Sequence, residues 1–205
     1  MVVTELRQIS QERFECGLSD GTVVKLGLNQ IADFSLFVGR ELESGELDAL
    51  RCAAGRQRCR ERAMRIIGMR ALSERELYDR LVEKGEDERD AADAVAWLIQ
   101  LHFLNDESYA ESVVRSCAAK GYGRRRAHQE LQRRKLPRDL WDAALELMPE
   151  ADETIDRLLQ SRLRGVDPDD RAALKKASDA LLRRGFGWEE IKDAVERWKA
   201  EQDGH

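Results

Sequence analysis

The chain has 205 residues, 37% of them charged and only 6% aromatic, with three prolines and a formal net charge of −5. This composition reads as mostly helical and highly solvated. No apolar run reaches the roughly 18 residues that would span a bilayer, and residues 1–15 carry no export signal, so a cytoplasmic protein without a membrane partner is expected.

Residues 1–52 differ from the rest. Phe14, Cys16 and Leu18 alternate with polar residues, Asp20-Gly21 follows, and Val24, Leu26 and Leu28 alternate again. The pattern predicts a β-hairpin closed by a type I′ turn, with both central residues at positive φ. A two-stranded ribbon is marginal alone, so its apolar face should lean on helices. Residues 31–40 suit either a third strand or a short helix, and Gly39 ends that segment before a helix from about Leu47.

From residue 53 onward an ungapped period of 50 residues appears. Cys59, Tyr109 and Leu159 fall in step, as do Leu81, Leu131 and Leu181, and Val95, Leu145 and Val195. Apolar character recurs at Ala63, Val113 and Leu163, at Leu77, Ala127 and Ala177, at Ala91, Trp141 and Ile191, and at Leu98, Met148 and Trp198. The expected fold is all-α: three tandem three-helix repeats (53–102, 103–152 and 153–205) stacked into an elongated, curved body, preceded by the small hairpin segment 1–52. Breakers place the helices near 48–69, 73–85 and 87–101, then 106–120, 123–134 and 137–147, then 152–164, 168–184 and 188–200. Ser73 with Glu76 forms a capping-box pattern, and Gly85, Gly121, Gly123, Gly185 and Gly187 interrupt the chain.

Charge is segregated along the sequence. Residues 51–72 hold seven basic side chains against one acidic, and residues 112–138 hold nine against one, while 1–50, 73–111 and 139–205 are all net acidic. Lys120, Arg124, Arg125, Arg126, Arg133 and Arg134 concentrate positive charge in the middle repeat, with Tyr122 between two glycines beside them. Such a patch attracts phosphate or an acidic protein face. A second basic patch comprises Arg56, Arg58, Arg60, Arg62, Arg65 and Arg70, for which solvated helix faces paired with the acidic blocks are an equally good reading.

Enzyme chemistry finds no support. The sequence lacks a phosphate-cradling loop, a dinucleotide fingerprint, an H-E-x-x-H motif and any Ser or Cys nucleophile with a placed His. Acidic clusters such as Glu86-Asp87-Glu88 sit at helix starts, where they complement the helix dipole. Cys16, Cys52, Cys59 and Cys117 show neither disulfide nor metal spacing and read as reduced, buried small side chains; Cys52 and Cys59 lie seven apart, but His102 and His128 are isolated. No cofactor or metal is expected.

The segment Phe103-Leu104-Asn105-Asp106-Glu107-Ser108-Tyr109-Ala110, then Lys120-Gly121-Tyr122-Gly123 and Gln129-Glu130-Leu131, resembles the central signature of the RecX family of bacterial RecA regulators. Ser73, Glu76-Leu77 and Leu81 are similar to the family's first repeat, and Arg184-Gly185-Phe186 with Ile191 to its third. The resemblance covers about residues 60–200; departures are His102 and Lys135, where the family commonly has glycine. It implies a monomeric, non-catalytic protein that binds the RecA filament on single-stranded DNA and inhibits ATPase, strand exchange and coprotease activity in homologous recombination, DNA repair and the SOS response. The competing reading is a stand-alone helical nucleic-acid-binding module.

Overall fold

The computed structural model describes residues 1–203. Three strands, β1 (Val3–Ser10), β2 (Arg13–Leu18) and β3 (Val23–Gly27), precede helices α1 (Leu28–Asp33), α2 (Ser44–Ile67), α3 (Glu74–Glu83) and α4 (Glu88–Gln100). Then come α5 (Asp106–Ala119), α6 (Arg124–Arg133), a 3₁₀ turn at Arg138–Leu140, α7 (Trp141–Leu145), α8 (Ala151–Arg162), α9 (Arg171–Arg184) and α10 (Trp188–Asp203). These elements form two units, residues 1–72 with 76–104, and residues 73–75 with the chain from Asn105 onward.

In the first unit the expected hairpin has gained a strand. The sheet is antiparallel in the order β1-β2-β3, with Cys16 opposite both Leu6 and Val24. Cys16, Leu18, Val24 and Leu26 face inward and pack with Leu36, Leu42, Leu47 and Leu50. Residues 31–40 therefore do not supply the third strand; α1 ends at Asp33, and β1 takes that place. The turn also differs from the type I′ expectation. Gly21 has φ 82°, but Asp20 is not among the residues with positive φ. Gly21 N–H donates to the Leu18 carbonyl at 2.9 Å, and Asp20 Oδ1 accepts the Thr22 N–H at 2.9 Å. A three-residue loop with a left-handed glycine at its end closes the hairpin instead.

The repeats each bury their own core. Cys59, Leu77, Leu81, Ala91 and Leu98 gather in the first; Val113, Ala127, Leu131 and Leu145 in the second; Leu159, Leu181, Ile191 and Trp198 in the third. Every triplet of the 50-residue register is buried or half-buried. Fully burying one such leucine stabilises the fold by about 1.5–3 kcal/mol, so each small core rests on a few positions. α2 serves two cores, placing Leu47 and Leu50 under the sheet and Cys59, Ala63 and Ile66 in the first repeat. Cys52 departs from the expectation of burial: it lies on the exposed face of α2, whereas Cys16, Cys59 and Cys117 are buried. Burial raises the Cys59 thiol to a pKa of about 11, with Glu86 and Asp90 adding to the shift, so it stays protonated near neutrality.

The period extends to the backbone. Gly85, Lys135 and Gly185 end the second helix of their repeats with φ of 81°, 53° and 91°. After each, the next N–H reaches back to the same carbonyl: Glu86 to Leu81 at 3.1 Å, Leu136 to Leu131 at 3.2 Å and Phe186 to Leu181 at 3.3 Å. This Schellman closure satisfies orphan carbonyls and normally folds an apolar residue back onto the helix. Leu136 and Phe186 are that residue in the second and third repeats, but in the first the position is Glu86, whose side chain is fully buried. A lone carboxylate there would be costly, and Arg58 and Arg62 meet it at 3.0 and 2.8 Å.

In the second unit the middle and third repeats touch backbone to backbone. Gly123 N–H donates to the Arg184 carbonyl at 2.9 Å, and Arg125 N–H donates to the Gly185 carbonyl at 3.1 Å. A Cβ on Gly123 would come within 2.6 Å of the Gly185 carbonyl carbon, and one on Gly185 within 2.6 Å of Arg126 Cβ. Only glycine permits this approach.

Candidate functional site

α6 opens at Gly123 without a side-chain cap, and its first three residues are Arg124, Arg125 and Arg126. The donations from Gly123 and Arg125 to the third repeat hold this first turn in place. Successive helical residues point about 100° apart, so the three guanidiniums diverge. Arg124 and Arg125 are exposed, and Arg124 Nη1 donates to the Leu145 carbonyl at 3.3 Å. Arg126 is half-buried, stacks over Tyr122 with 5.7 Å to the ring centroid, and meets Glu130 at 3.4 Å. Lys120 is exposed on the preceding turn.

Glu130 is the single carboxylate of this stretch and serves several cations. Arg133 donates to it through Nε and Nη2 at 3.2 and 2.7 Å, and Arg134 Nε lies 3.8 Å away. The Arg133 hydrogen bonds hold the Glu130 carboxyl below its ordinary value near 4.5, opposed by partial burial and helped by the charges of Arg133, Arg126 and Arg134. Arg134 also donates to the Tyr109 hydroxyl and lies over that ring, 5.5 Å from its centroid. Of the seven residues expected at this site, Arg126, Arg133 and Arg134 thus converge on Glu130. Arg124, Arg125 and Lys120 present charge without a carboxylate partner among the described residues. Tyr122 is half-buried against the middle core, less free than its place between two glycines suggests.

The basic stretch of α2 is differently arranged. Arg58 and Arg62 flank Glu86, Arg60 pairs with Asp93 at 2.8 Å while lying over Trp97, and Arg70 pairs with Glu76 at 3.0 Å. Arg65 donates to the Glu61 carbonyl at 3.4 Å, and Arg56 is exposed. Four of these six guanidiniums, those of Arg58, Arg60, Arg62 and Arg70, thus pair with acidic side chains of their own unit. Sequence reasoning missed the reason for this pairing; the clue is Glu86, an acid where the 50-residue register has Leu136 and Phe186.

Three family models match in tandem: RecX, first three-helix domain over residues 59–98, second three-helix domain over 105–145 and third three-helix domain over 150–195. The chain belongs to the RecX family. It is 28% identical over 137 residues to the regulatory protein RecX of Vibrio campbellii, a match covering 66% of this chain and 88% of the relative. With the RecX of Stenotrophomonas maltophilia it shares 33% identity over 66% of this chain and 83% of the other, and with that of Clostridium botulinum 24% over 93% and 92%. A crystal structure of regulatory protein RecX superposes with a TM-score of 0.70 at 22% identity, covering 94% of this chain and 98% of that one. The RecX structure from Lactobacillus salivarius gives a TM-score of 0.64 at 21% identity, covering 71% and 97%. The Vibrio, Stenotrophomonas and Clostridium relatives are regulatory proteins by name, and the α5–α6 site lies inside the second RecX domain. Among the described residues no RecX helix is long and apolar enough to cross a membrane, and no group of three His, Cys, Asp or Glu side chains is placed to hold a metal ion.

Proposed function

We propose that this RecX protein is a non-catalytic, cytoplasmic regulator that binds, as a monomer, the RecA filament on single-stranded DNA and restrains RecA's ATPase, strand exchange and coprotease activities. It would act in homologous recombination, DNA repair and the SOS response. Family membership supports the regulatory role, and the observation that carries the mode of contact is the fixed first turn of α6 with Arg124 and Arg125 exposed. Because these two and Lys120 have no carboxylate partner among the described residues, an anionic partner gains their charge without breaking an ion pair there. The α2 arginines would first have to leave Asp93 and Glu86, which favours α6 as the contact.

The overall charge of −5 works against tight binding to naked DNA. A filament contact adds protein surface to phosphate contact, and neighbouring contacts reinforce one another through effective concentration. Fluorescence anisotropy on labelled single-stranded DNA, bare or coated with RecA, tests this reading across a salt series. The filament is expected to bind far more tightly, with a shallow salt slope on bare DNA. Equal affinity for bare DNA with a steep negative slope would replace it with the stand-alone nucleic-acid module.

A further inference from the structure

β3 is an edge strand of the sheet, and the register of its ladder fixes which backbone groups are free. Cys16 lies opposite Val24 and Phe14 opposite Leu26. Beyond these pairs, Leu18 N–H donates to the Thr22 carbonyl at 2.8 Å and Leu28 N–H to the Glu12 carbonyl at 3.2 Å. Bonded pairs alternate along an antiparallel ladder, so residues 22, 24 and 26 turn their N–H and C=O toward β2, whereas Val23, Lys25 and Gly27 turn theirs away. Gln30 Oε1 accepts the Gly27 N–H at 2.6 Å on that outer side. The backbone groups of Val23 and Lys25 find no hydrogen-bond partner there among the described residues, and the Val23 side chain is 57% exposed.

This free edge opens on a groove of about 600 Å³ against α2. Lys25, Arg13 and the α2 residues Arg51, Arg58, Arg62 and Arg65 line it, against the single lining carboxylate of Glu61, which Arg13 engages. Arg58 and Arg62 share Glu86. Arg51 stands 3.9 Å from Asp20, Lys25 lies opposite a Glu15 that Arg7 already holds, and Arg65 has no carboxylate partner among the described residues. Val23 and Ala54 add apolar lining.

We propose that β3 takes up an extended acidic peptide segment of a partner protein as a fourth strand, its carboxylates drawn by Lys25, Arg51 and Arg65 while Arg58 and Arg62 keep Glu86. Strand addition supplies affinity through main-chain hydrogen bonds and specificity through alternate side chains. A DNA backbone offers only acceptors and would leave the Val23 and Lys25 carbonyls unpaired. A second copy of β3 would set these cations against one another, which is how a lysine on a strand edge discourages self-pairing.

Fluorescence anisotropy on the full chain tests this with a short labelled peptide alternating Glu and Val, a Lys–Val counterpart, and two forms of the Glu–Val peptide N-methylated at one or the other set of alternate amides. Alternate amides of a strand point to opposite edges, so one N-methylated form should bind like the parent and the other should lose about tenfold or more, while the Lys–Val peptide does not bind. Val23→Pro removes only an N–H that faces away from β2, a change an edge strand tolerates, and should weaken binding without altering circular dichroism. Arg51→Glu combined with Arg65→Glu, both on exposed positions, should do the same. No binding of the Glu–Val peptide, equal binding by its two N-methylated forms, or undiminished binding by either variant that keeps its circular dichroism would overturn the proposal. So would tighter binding of labelled oligothymidylate that the Arg51 and Arg65 reversals abolish, which would assign the groove to nucleic acid, or sedimentation as a dimer that Val23→Pro dissolves, which would assign the edge to a second copy.

Discussion

Three residues in the left-handed region lack glycine's freedom: Ser35 at φ 46°, His102 at φ 58° and Lys135 at φ 53°. A side chain there costs roughly 1–2 kcal/mol, of which glycine's larger unfolded-state entropy returns part. His102→Gly and Lys135→Gly should therefore each stabilise the protein by about 0.5–1 kcal/mol in chemical denaturation. Both are the departures from the family pattern visible in the sequence, and they change a helix end without changing its Schellman geometry. Leu131 has no exposed surface, so Leu131→Ala should cost about 2–5 kcal/mol through lost burial and a residual cavity. A loss below about 0.5 kcal/mol would mean that the 50-residue register is misplaced. Glu86 behaves oppositely to an ordinary surface acid. Removing Arg58 and Arg62 together strands its carboxylate and should cost about 3–5 kcal/mol, whereas Glu86→Leu, which restores the apolar residue of the other repeats, should be neutral or stabilising.

At the scale of elements, α6 separates fold from function. Reversing Arg124, Arg125 and Arg126 to Glu should leave the helical circular dichroism intact, since the two residue types have similar helix propensity, while weakening filament binding by several kcal/mol. Neutralised singly, Arg126 should matter least, because Glu130 already shares its charge. Glu130, held below 4.5 by Arg133, adds stability above that value, and the contribution fades as pH falls through the lowered one. Glu130→Gln should flatten stability over that acid window and remove the negative charge that Arg126, Arg133 and Arg134 share. Helix boundaries were legible chiefly from glycine breakers, Gly85, Gly121, Gly123 and Gly185 all falling beside helix ends or starts, whereas the helix expected from residue 168 begins at Arg171, where Asp170 accepts the Ala172 and Ala173 N–H groups. The strand β1 was not legible, since most of its side chains are exposed and no inward alternation marks it. Its Gln11-Glu12 connection to β2 also carries no turn residue. Charge runs betrayed the candidate site, but only geometry divided the α2 arginines, which face Glu86, Asp93 and Glu76, from the exposed ones of α6.

Across the whole molecule stability is divided among four hydrophobic cores, one under the sheet and one in each repeat. A protein so divided keeps each helix triplet intact with little dependence on distant ones, as repeat proteins do. A RecX protein that restrains RecA should slow DNA-dependent ATP hydrolysis by the RecA of its own host, followed beside strand exchange while the protein is added up to equimolar amounts. Both activities should fall progressively, with the Arg124–Arg126 triple reversal much less effective than wild type. Unchanged ATPase and strand exchange across a range of salt concentrations would contradict it.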